Sequence, residues 1–173
     1  MGTISFNSQK LGKGEHPLEV EIQKACWAWL GRFILPHRSL EPSVCLQTFC
    51  YMVPNGVQLG GGRTRRAQYM ASLKAQGFRP GVSDMVIAYP MWADYASDCY
   101  HGAYIELKRD PEAYRGPAAR ASALKPEQRD WLELMSSVGY WAAVAYGLED
   151  FKSLVNSYLK QESPRPLDFI PGQ

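Results

Sequence analysis

The order of apolar segments predicts a single α/β domain built around one mixed β-sheet. Segments with helical spacing alternate with short strand-like runs, in the order helix, strand, helix, strand, strand, helix, strand, helix. The length of 173 residues, with 46% hydrophobic and 21% charged residues, is typical of one globular domain with its own core. We expect this domain over residues 18–160, between a flexible tail at 1–17 and a proline-rich tail at 161–173.

The first half of the chain predicts two helices and one strand. A helix begins at Leu18, because apolar residues then recur every three or four positions, and we expect Pro36 to end it. A strand occupies the second half of "VCLQTFCYMVPN". After a glycine-rich loop, the segment "RTRRAQYMASLKAQG" predicts a helix that ends at Gly77, a favourable C-cap.

The second half predicts a hairpin, a helix, a buried strand and a last helix. Strands at about Asp84 to Tyr89 and in "AYIELKR" are expected to form an antiparallel pair. Residues 110–124 are polar and rich in Ala and Pro, which predicts a mobile excursion. A helix follows from Pro126 to its C-cap at Gly139, then the apolar strand "YWAAVAYG" and the helix "LEDFKSLVNSYLK".

A basic segment without acidic residues covers the middle of the chain. Between positions 55 and 83 there is no Asp or Glu, and the cations are Arg63, Arg65, Arg66, Lys74 and Arg79. Such a local positive field suits the phosphate backbone of nucleic acid. The net charge of +2 does not by itself indicate nucleic-acid binding, so a solvated charged face remains the alternative.

Membrane insertion and secretion are not expected from this sequence. No apolar stretch approaches the length of a membrane span, and the first residues lack the apolar core of a signal peptide. The four cysteines contain no C-x-x-C pair, which favours free thiols in a reducing compartment. We therefore predict a cytoplasmic protein.

Three charged residues in the predicted hairpin form a candidate catalytic set. Glu106 and Lys108 project from the same face of a strand, because residues two apart share a face. Asp84 opens the preceding strand, so a hairpin can bring all three side chains to one edge of the sheet. Two carboxylates can hold Mg²⁺, and an adjacent lysine can orient water or neutralise a phosphate. The alternative is an ion pair on a solvated face.

This pattern resembles the PD-(D/E)xK nucleases and, more narrowly, the VRR-NUC family. The resemblance rests on "PNG", "GGGRTRRAQYMASLKAQGFRPGVSD", "HGAYIELKR" and "KPEQRDWLELMSSVGYWAAVAYG" in this order, and it covers roughly residues 18–160. E-x-K alone is weak, but its order with Asp84 and the "EQ" of the next helix is specific. The resemblance implies a restriction-endonuclease-like mixed sheet flanked by helices.

The resemblance also implies roles for individual residues. Asp84 and Glu106 would be metal ligands, with the backbone carbonyl of Leu107 a further ligand. Lys108 would position or activate the attacking water. Gln128 would orient water, substrate or Lys108, although as the third residue of a helix it could instead form a capping box.

An acidic residue on the first helix usually completes sites of this family. Glu19 and Glu21 both qualify, and Glu19 is favoured because it shares a helix face with Gln23. The chain departs from the family in having Ser83 where the motif has Pro, a position that shapes the turn and does no chemistry. It also has a longer segment between Lys108 and the next helix, with an expected effect on substrate choice.

The function implied by the resemblance is that of a Mg²⁺- or Mn²⁺-dependent DNA endonuclease. Stand-alone members resemble Holliday-junction resolvases, which act as homodimers on branched DNA and are often carried by phages and bacteria. The aromatic-rich first helix and "PMWADY" at 90–95 are candidate dimer surfaces. The alternatives are a flap-, nick- or end-directed or restriction-like nuclease, and a DNA-binding module that has the nuclease fold but does not cut.

Overall fold

The predicted elements follow in the predicted order in a computed structural model. The structure describes residues 16–35, 44–53, 63–91 and 99–171. The segments "PNG" and "GVQLGGG" and most of "PMWADY" lie outside the described residues. None of the helices in the described ranges is long and apolar enough to cross a membrane.

The central sheet is mixed, as predicted. Its strand order is β3-β4-β5-β6, with the first three strands antiparallel and β5 parallel to β6. Two short strands at Ile34–Leu35 (β1) and Val44–Cys45 (β2) form a separate antiparallel pair. The strands of the central sheet are Cys50–Met52 (β3), Met85–Ile87 (β4), Ala103–Lys108 (β5) and Trp141–Tyr146 (β6).

Five α-helices occur within the described residues, and two predictions about the helical segments were wrong. The helices are Glu19–Leu30 (α1), Arg63–Ala75 (α2), Pro117–Ala121 (α3), Pro126–Ser137 (α4) and Gly147–Leu159 (α5). α1 ends at the C-cap Gly31, before Pro36, because the chain turns there to enter β1. The segment 110–124 contains α3 and a 3-10 turn rather than an irregular excursion, and Pro111 and Leu124 anchor it by burial.

The two faces of β5 meet different layers of helices. One face contributes three residues to the core shared with α1 and α5, namely Ala103, Ile105 and Leu107. On the other face, Tyr104 contacts Trp131 of α4, and Lys108 bonds to Gln128 of the same helix. Because side chains alternate along a strand, Glu106 also faces α4. The strand-like period of "AYIELK" therefore directs the charged residues away from the larger core and towards a single helix.

The proline-rich C-terminal segment is irregular, as predicted, but it is bound to the domain. Arg165 Nη1 donates to Asp150 Oδ1 at 2.6 Å, and Arg165 Nη2 donates to the carbonyl of Val144 at 2.6 Å. Trp141 Nε1 donates to the carbonyl of Glu162 at 2.9 Å. These bonds use polar groups of β6 and α5, so the segment covers the outer edge of the sheet.

Candidate active site

Strand register brings Asp84 and Glu106 opposite each other. In the antiparallel pair of β4 and β5, Met85 lies opposite Ile105. The residue before Met85 therefore lies opposite the residue after Ile105, which places Asp84 against Glu106. The backbone N–H of Leu107 donates to Asp84 Oδ2 at 2.9 Å. This bond fixes the Asp84 carboxylate beside the carboxyl end of β5.

Glu106, Lys108 and Gln128 form one buried hydrogen-bonded cluster. Lys108 Nζ donates to Glu106 Oε1 at 2.7 Å, and the side chains of Lys108 and Glu106 are only 5% and 1% exposed. Gln128 Nε2 donates to the same glutamate oxygen, and Gln128 Oε1 accepts from Lys108 Nζ at 3.1 Å. A buried ion pair is costly unless its polar atoms are bonded, and the glutamine supplies bonds to both charged partners. The structure therefore brings these three residues together, with Asp84 opposite Glu106.

Gln128 serves the start of α4 and the cluster at the same time. Its Oε1 accepts from the backbone N–H of Lys125 at 3.1 Å, the bond expected of a capping box at this position. The same side chain contacts Glu106 and Lys108, so the two interpretations of this glutamine are compatible. Pro126 at the first helical position leaves no unsatisfied N–H there and helps to begin the helix at the site.

The pKa of Glu106 shows the electrostatic character of the cluster. The pKa of this carboxyl is raised from 4.5 to about 8, first by burial and then by the charge of Asp84. The ammonium of Lys108 lowers the pKa of Glu106, but by less than burial and the second carboxylate raise it. Two carboxylates close together in a buried place favour either a shared proton or a bound cation.

The donor set fits a hard divalent cation. Glu106 Oε2 is buried and has no hydrogen-bond partner among the described residues, whereas Oε1 is bonded twice. A buried carboxylate oxygen near a second carboxylate is a suitable oxygen ligand for Mg²⁺. Within the described ranges, no three His, Cys, Asp or Glu side chains group as a ligand cluster, so the described carboxylates of this set are two, Asp84 and Glu106.

The two acidic candidates on the first helix have different surroundings. Glu21 Oε2 accepts from the backbone N–H of Leu18 at 2.8 Å, so it caps its own helix. Glu19 is exposed and lies near Tyr114. The pKa of the Tyr114 phenol is raised to about 12, mainly by burial, and the charge of Glu19 contributes to the rise. The role of Glu19 or Glu21 at the site remains a prediction, and the capping bond of Glu21 strengthens the preference for Glu19.

Two residues that the sequence did not single out hold the start of α1 against the end of β5. The Arg109 side chain donates to the backbone carbonyls of Pro17 and His16 at 3.3 and 3.4 Å. The backbone N–H of Arg109 donates to Tyr114 Oη at 3.2 Å. The only available signal was that Arg109 follows Lys108 directly, since nothing in the local sequence indicates a partner 92 residues away.

The predicted DNA-binding cations lie on α2 and in the loop that follows it. Arg65, Arg66 and Lys74 have exposed side chains on α2, and Arg79 is exposed beyond its C-terminus. The side chain of Arg63 lies outside the described residues. None of the described side chains of α2 is buried, so the helix presents most of its surface to solvent.

The loop between α2 and Asp84 is closely packed on α4 through Gly81. A Cβ at Gly81 would lie 2.4 Å from the backbone oxygen of Glu127, and Gly81 has φ +84°. The left-handed backbone conformation alone would cost an alanine about 1–2 kcal/mol. We expect Gly81→Ala to lower the free energy of unfolding by more than this, because the loop must also move away from α4. Because Asp84 and Gln128 would then separate, the rate of the DNA cleavage that the sequence predicts is expected to fall as well.

Gly77→Ala is the matched control for this substitution. Gly77 has φ +98°, but a Cβ there would meet no atom within 4 Å. The control therefore carries the backbone strain without the clash, and it should lose stability while retaining cleavage at temperatures where it is folded. Thermal unfolding and cleavage rates measured on both variants test the difference. Equal losses of cleavage would mean that the Gly81 contact does not position the site.

Comparison with solved structures identifies the fold. A solved structure of a "VRR_NUC domain protein" superposes on the chain with a TM-score of 0.60 at 22% identity, covering 90% of this chain and 99% of that one. The chain therefore has the VRR-NUC fold, which confirms the predicted fold class. Protein-family models give no match, and curated proteins give none.

Proposed function

We propose that the protein is a divalent-metal-dependent DNA endonuclease that hydrolyses phosphodiester bonds. One observation carries the proposal: Asp84 and the buried Glu106 face each other beside Lys108, and Glu106 Oε2 has no hydrogen-bond partner among the described residues. A purely structural ion pair would not require a second carboxylate opposite the first, because like charges raise the cost of burial. The nuclease-type fold supports the same conclusion.

The residues that would hold the metal are Asp84, Glu106 and the backbone carbonyl of Leu107. Mg²⁺ or Mn²⁺ bound there would act as a Lewis acid towards the phosphate and lower the pKa of bound water. Glu19 is the preferred additional acid, with Glu21 as its alternative.

Lys108 and Gln128 supply the chemistry that belongs to the chain itself. Lys108 Nζ is held at two points, by Glu106 Oε1 at 2.7 Å and Gln128 Oε1 at 3.1 Å. An ammonium group has three donors, so the third N–H of Lys108 is available to orient water or neutralise charge that develops on the phosphate. Gln128 is a positioning residue, because it fixes both partners of the ion pair from the first turn of α4.

DNA binding is proposed for the exposed cations of the basic segment. Arg65, Arg66 and Lys74 project from α2, which has no acidic residue and no buried described side chain. Arginine at the start of a helix opposes the helix dipole, a small cost that a phosphate contact would offset. Arg63 belongs to the same set from its place in the sequence.

The preferred substrate is proposed to be branched DNA such as a four-way junction, cut by a homodimer. A dimer presents two sites that can cut two strands symmetrically. α1 exposes Leu18, Val20 and Trp27, which supports this helix as a dimer surface. We infer action in the cytoplasm of a bacterium or a phage-infected cell. Flap, nick, end-directed or restriction-like cleavage is the first alternative, and a non-cleaving DNA-binding module is the second.

The test is a cleavage assay with end-labelled DNA. The substrates are a four-way junction, a flap, a plain duplex and a single strand, each with Mg²⁺, Mn²⁺ or chelator. We expect paired symmetric cuts in the junction, and we expect chelator to abolish them. Cleavage of the other DNA forms would support a nuclease but contradict the proposed preference for four-way junctions. Binding of DNA without any cleavage would support the non-cleaving module.

A further inference from the structure

Arg79 is an exposed cation whose guanidinium is held in place by an aromatic ring. Its Cζ lies 5.2 Å from the centroid of the Trp131 ring. Among the described residues, no carboxylate forms an ion pair with Arg79. A guanidinium stacked on an aromatic face keeps its N–H donors in the plane of the group and directed outwards. Arg79 therefore has an aromatic contact on α4 and, among the described residues, no carboxylate that neutralises it.

The stack on Trp131 lies one step along the sheet from the candidate active site. Trp131 comes one helical turn after Gln128 on α4, and its ring contacts Tyr104 edge-on with centroids 5.7 Å apart. Tyr104 lies two residues before Glu106 on the same face of β5, about 7 Å along the strand. The Arg79 guanidinium thus lies over Trp131, which forms with Tyr104 the aromatic pair next to Glu106 and Gln128 in the two elements.

The loop that carries Arg79 also carries Asp84, and α4 holds it in place. The close approach of Gly81 to the backbone oxygen of Glu127 fixes the loop between these two residues. The loop therefore holds Arg79 and Asp84 at a fixed separation. Both residues are positioned relative to α4, the helix that provides Gln128. This arrangement differs from α2, whose cations project from a helix with no buried described side chain.

We propose that Arg79, positioned by Trp131, binds the DNA phosphate adjacent to the one that is cut. This inference rests on the proposed nuclease function. The scissile phosphate would lie at Asp84 and Glu106, and a neighbouring phosphate of the same strand would meet the N–H donors of Arg79. The contact sets the register of the strand in the site, whereas the α2 cations supply general affinity.

A phosphate-interference experiment tests this contact directly. DNA with a single neutral methylphosphonate linkage, moved one position at a time across the cut site, is bound to the full chain in chelator. For the unchanged protein, one linkage next to the cut position should weaken binding about tenfold, as expected for loss of a charge-assisted hydrogen bond. Arg79→Ala should weaken binding to ordinary DNA by a similar factor, lower the salt slope by about 1 and abolish sensitivity at that linkage.

Two further variants separate phosphate binding from a merely structural stack. Arg79→Lys keeps the charge without a planar group, so it should regain part of the affinity with a broader interference pattern. Lys152→Ala, which removes a cation on α5 that pairs with Glu149, should behave as the unchanged protein. Thermal unfolding confirms that each variant is folded. If folded Arg79→Ala keeps the same interference pattern as the unchanged protein, the inference is overturned.

The outcomes also separate this inference from the proposed function. A protein that binds DNA and shows one Arg79-dependent linkage but cuts no DNA would contradict the nuclease and retain only a phosphate contact of Arg79, because its place next to a cut would be lost. A protein that cuts DNA with no Arg79-dependent linkage would retain the nuclease and reject the subsite. Failure of the unchanged protein to bind any of the DNA forms would reject both.

Discussion

Asp84→Asn and Lys108→Met are expected to abolish DNA cleavage while leaving DNA binding nearly unchanged. Asn keeps an oxygen that can accept from the Leu107 N–H, but it removes the charge that a divalent cation requires. Loss of a group that acts on the reacting phosphate or water costs about 10²–10⁴-fold in rate. We expect single-turnover cleavage with saturating protein to fall by at least this range for both variants, with affinity measured in chelator.

The converse result is expected for the exposed cations of α2. Arg65→Ala should weaken DNA binding and reduce the salt dependence of that binding, because the substitution removes a phosphate contact. The single-turnover cleavage rate at saturating protein should stay close to that of the unchanged chain. This pair of behaviours separates binding on α2 from chemistry at β5. Full cleavage activity in both Asp84→Asn and Lys108→Met would show that the site assignment is wrong.

The strand that carries Glu106 and Lys108 could be predicted from the sequence because its information is local. The period of a strand puts Glu106 and Lys108 on one face, and the apolar residues before Glu106, with Leu107 between the two charges, mark the strand itself. The structure confirms that arrangement and adds the direction of the face, towards α4 rather than towards the larger core. The side of the sheet that the charged face of β5 meets depends on which helix packs against that side. The local sequence of the strand does not determine this packing.

The sequence could predict that Asp84 lies on the strand next to Glu106, but not that the two residues lie directly opposite each other. The hairpin hypothesis placed Asp84 on the adjacent strand, but 21 residues lie between Asp84 and Glu106, and the long connection between the two strands does not fix a register. In the structure, the pairing of Met85 with Ile105 sets the register, since both side chains are fully buried and a slip by one residue would expose them.

The first helix shows the limit of reasoning from sequence. Arg109 bonds to the chain at Pro17 across 92 positions, a contact between elements that have no shared local pattern. The end of α1 was mispredicted for a related reason, because Gly31 ends the helix where tertiary structure needs a turn, whereas Pro36 only marks the last possible stop. The choice between Glu19 and Glu21 depends on such long-range placement.

The affinity for Mg²⁺ is expected to depend steeply on pH, because Glu106 must lose a proton to bind the ion. Burial, and then the charge of Asp84, raises its pKa from 4.5 to about 8 in the metal-free protein. Below that pH, the dissociation constant should rise about tenfold for each unit of pH, and above it the constant should level off. Calorimetric titration with Mg²⁺ in buffers of different ionisation enthalpy should detect about one proton released per ion near pH 7.

Two variants should move the metal-free pKa of Glu106 in opposite directions, which makes Glu106 identifiable as the group that titrates. Asp84→Asn removes a charge that raises the pKa of Glu106, so in this variant the metal-free Glu106 carboxyl should ionise at lower pH. Lys108→Met removes the charge that lowers the pKa of Glu106, so in this variant the carboxyl should ionise at higher pH.

Without metal, the folded chain holds a proton that the unfolded chain releases near 4.5, so the free energy of unfolding should fall as pH rises from about 5 to about 8. Added Mg²⁺ should reverse that fall, because the ion replaces the proton in the folded state. A Mg²⁺ affinity that stays constant between pH 6 and pH 8 would contradict a buried Glu106 ligand and direct attention to an exposed acid such as Glu19.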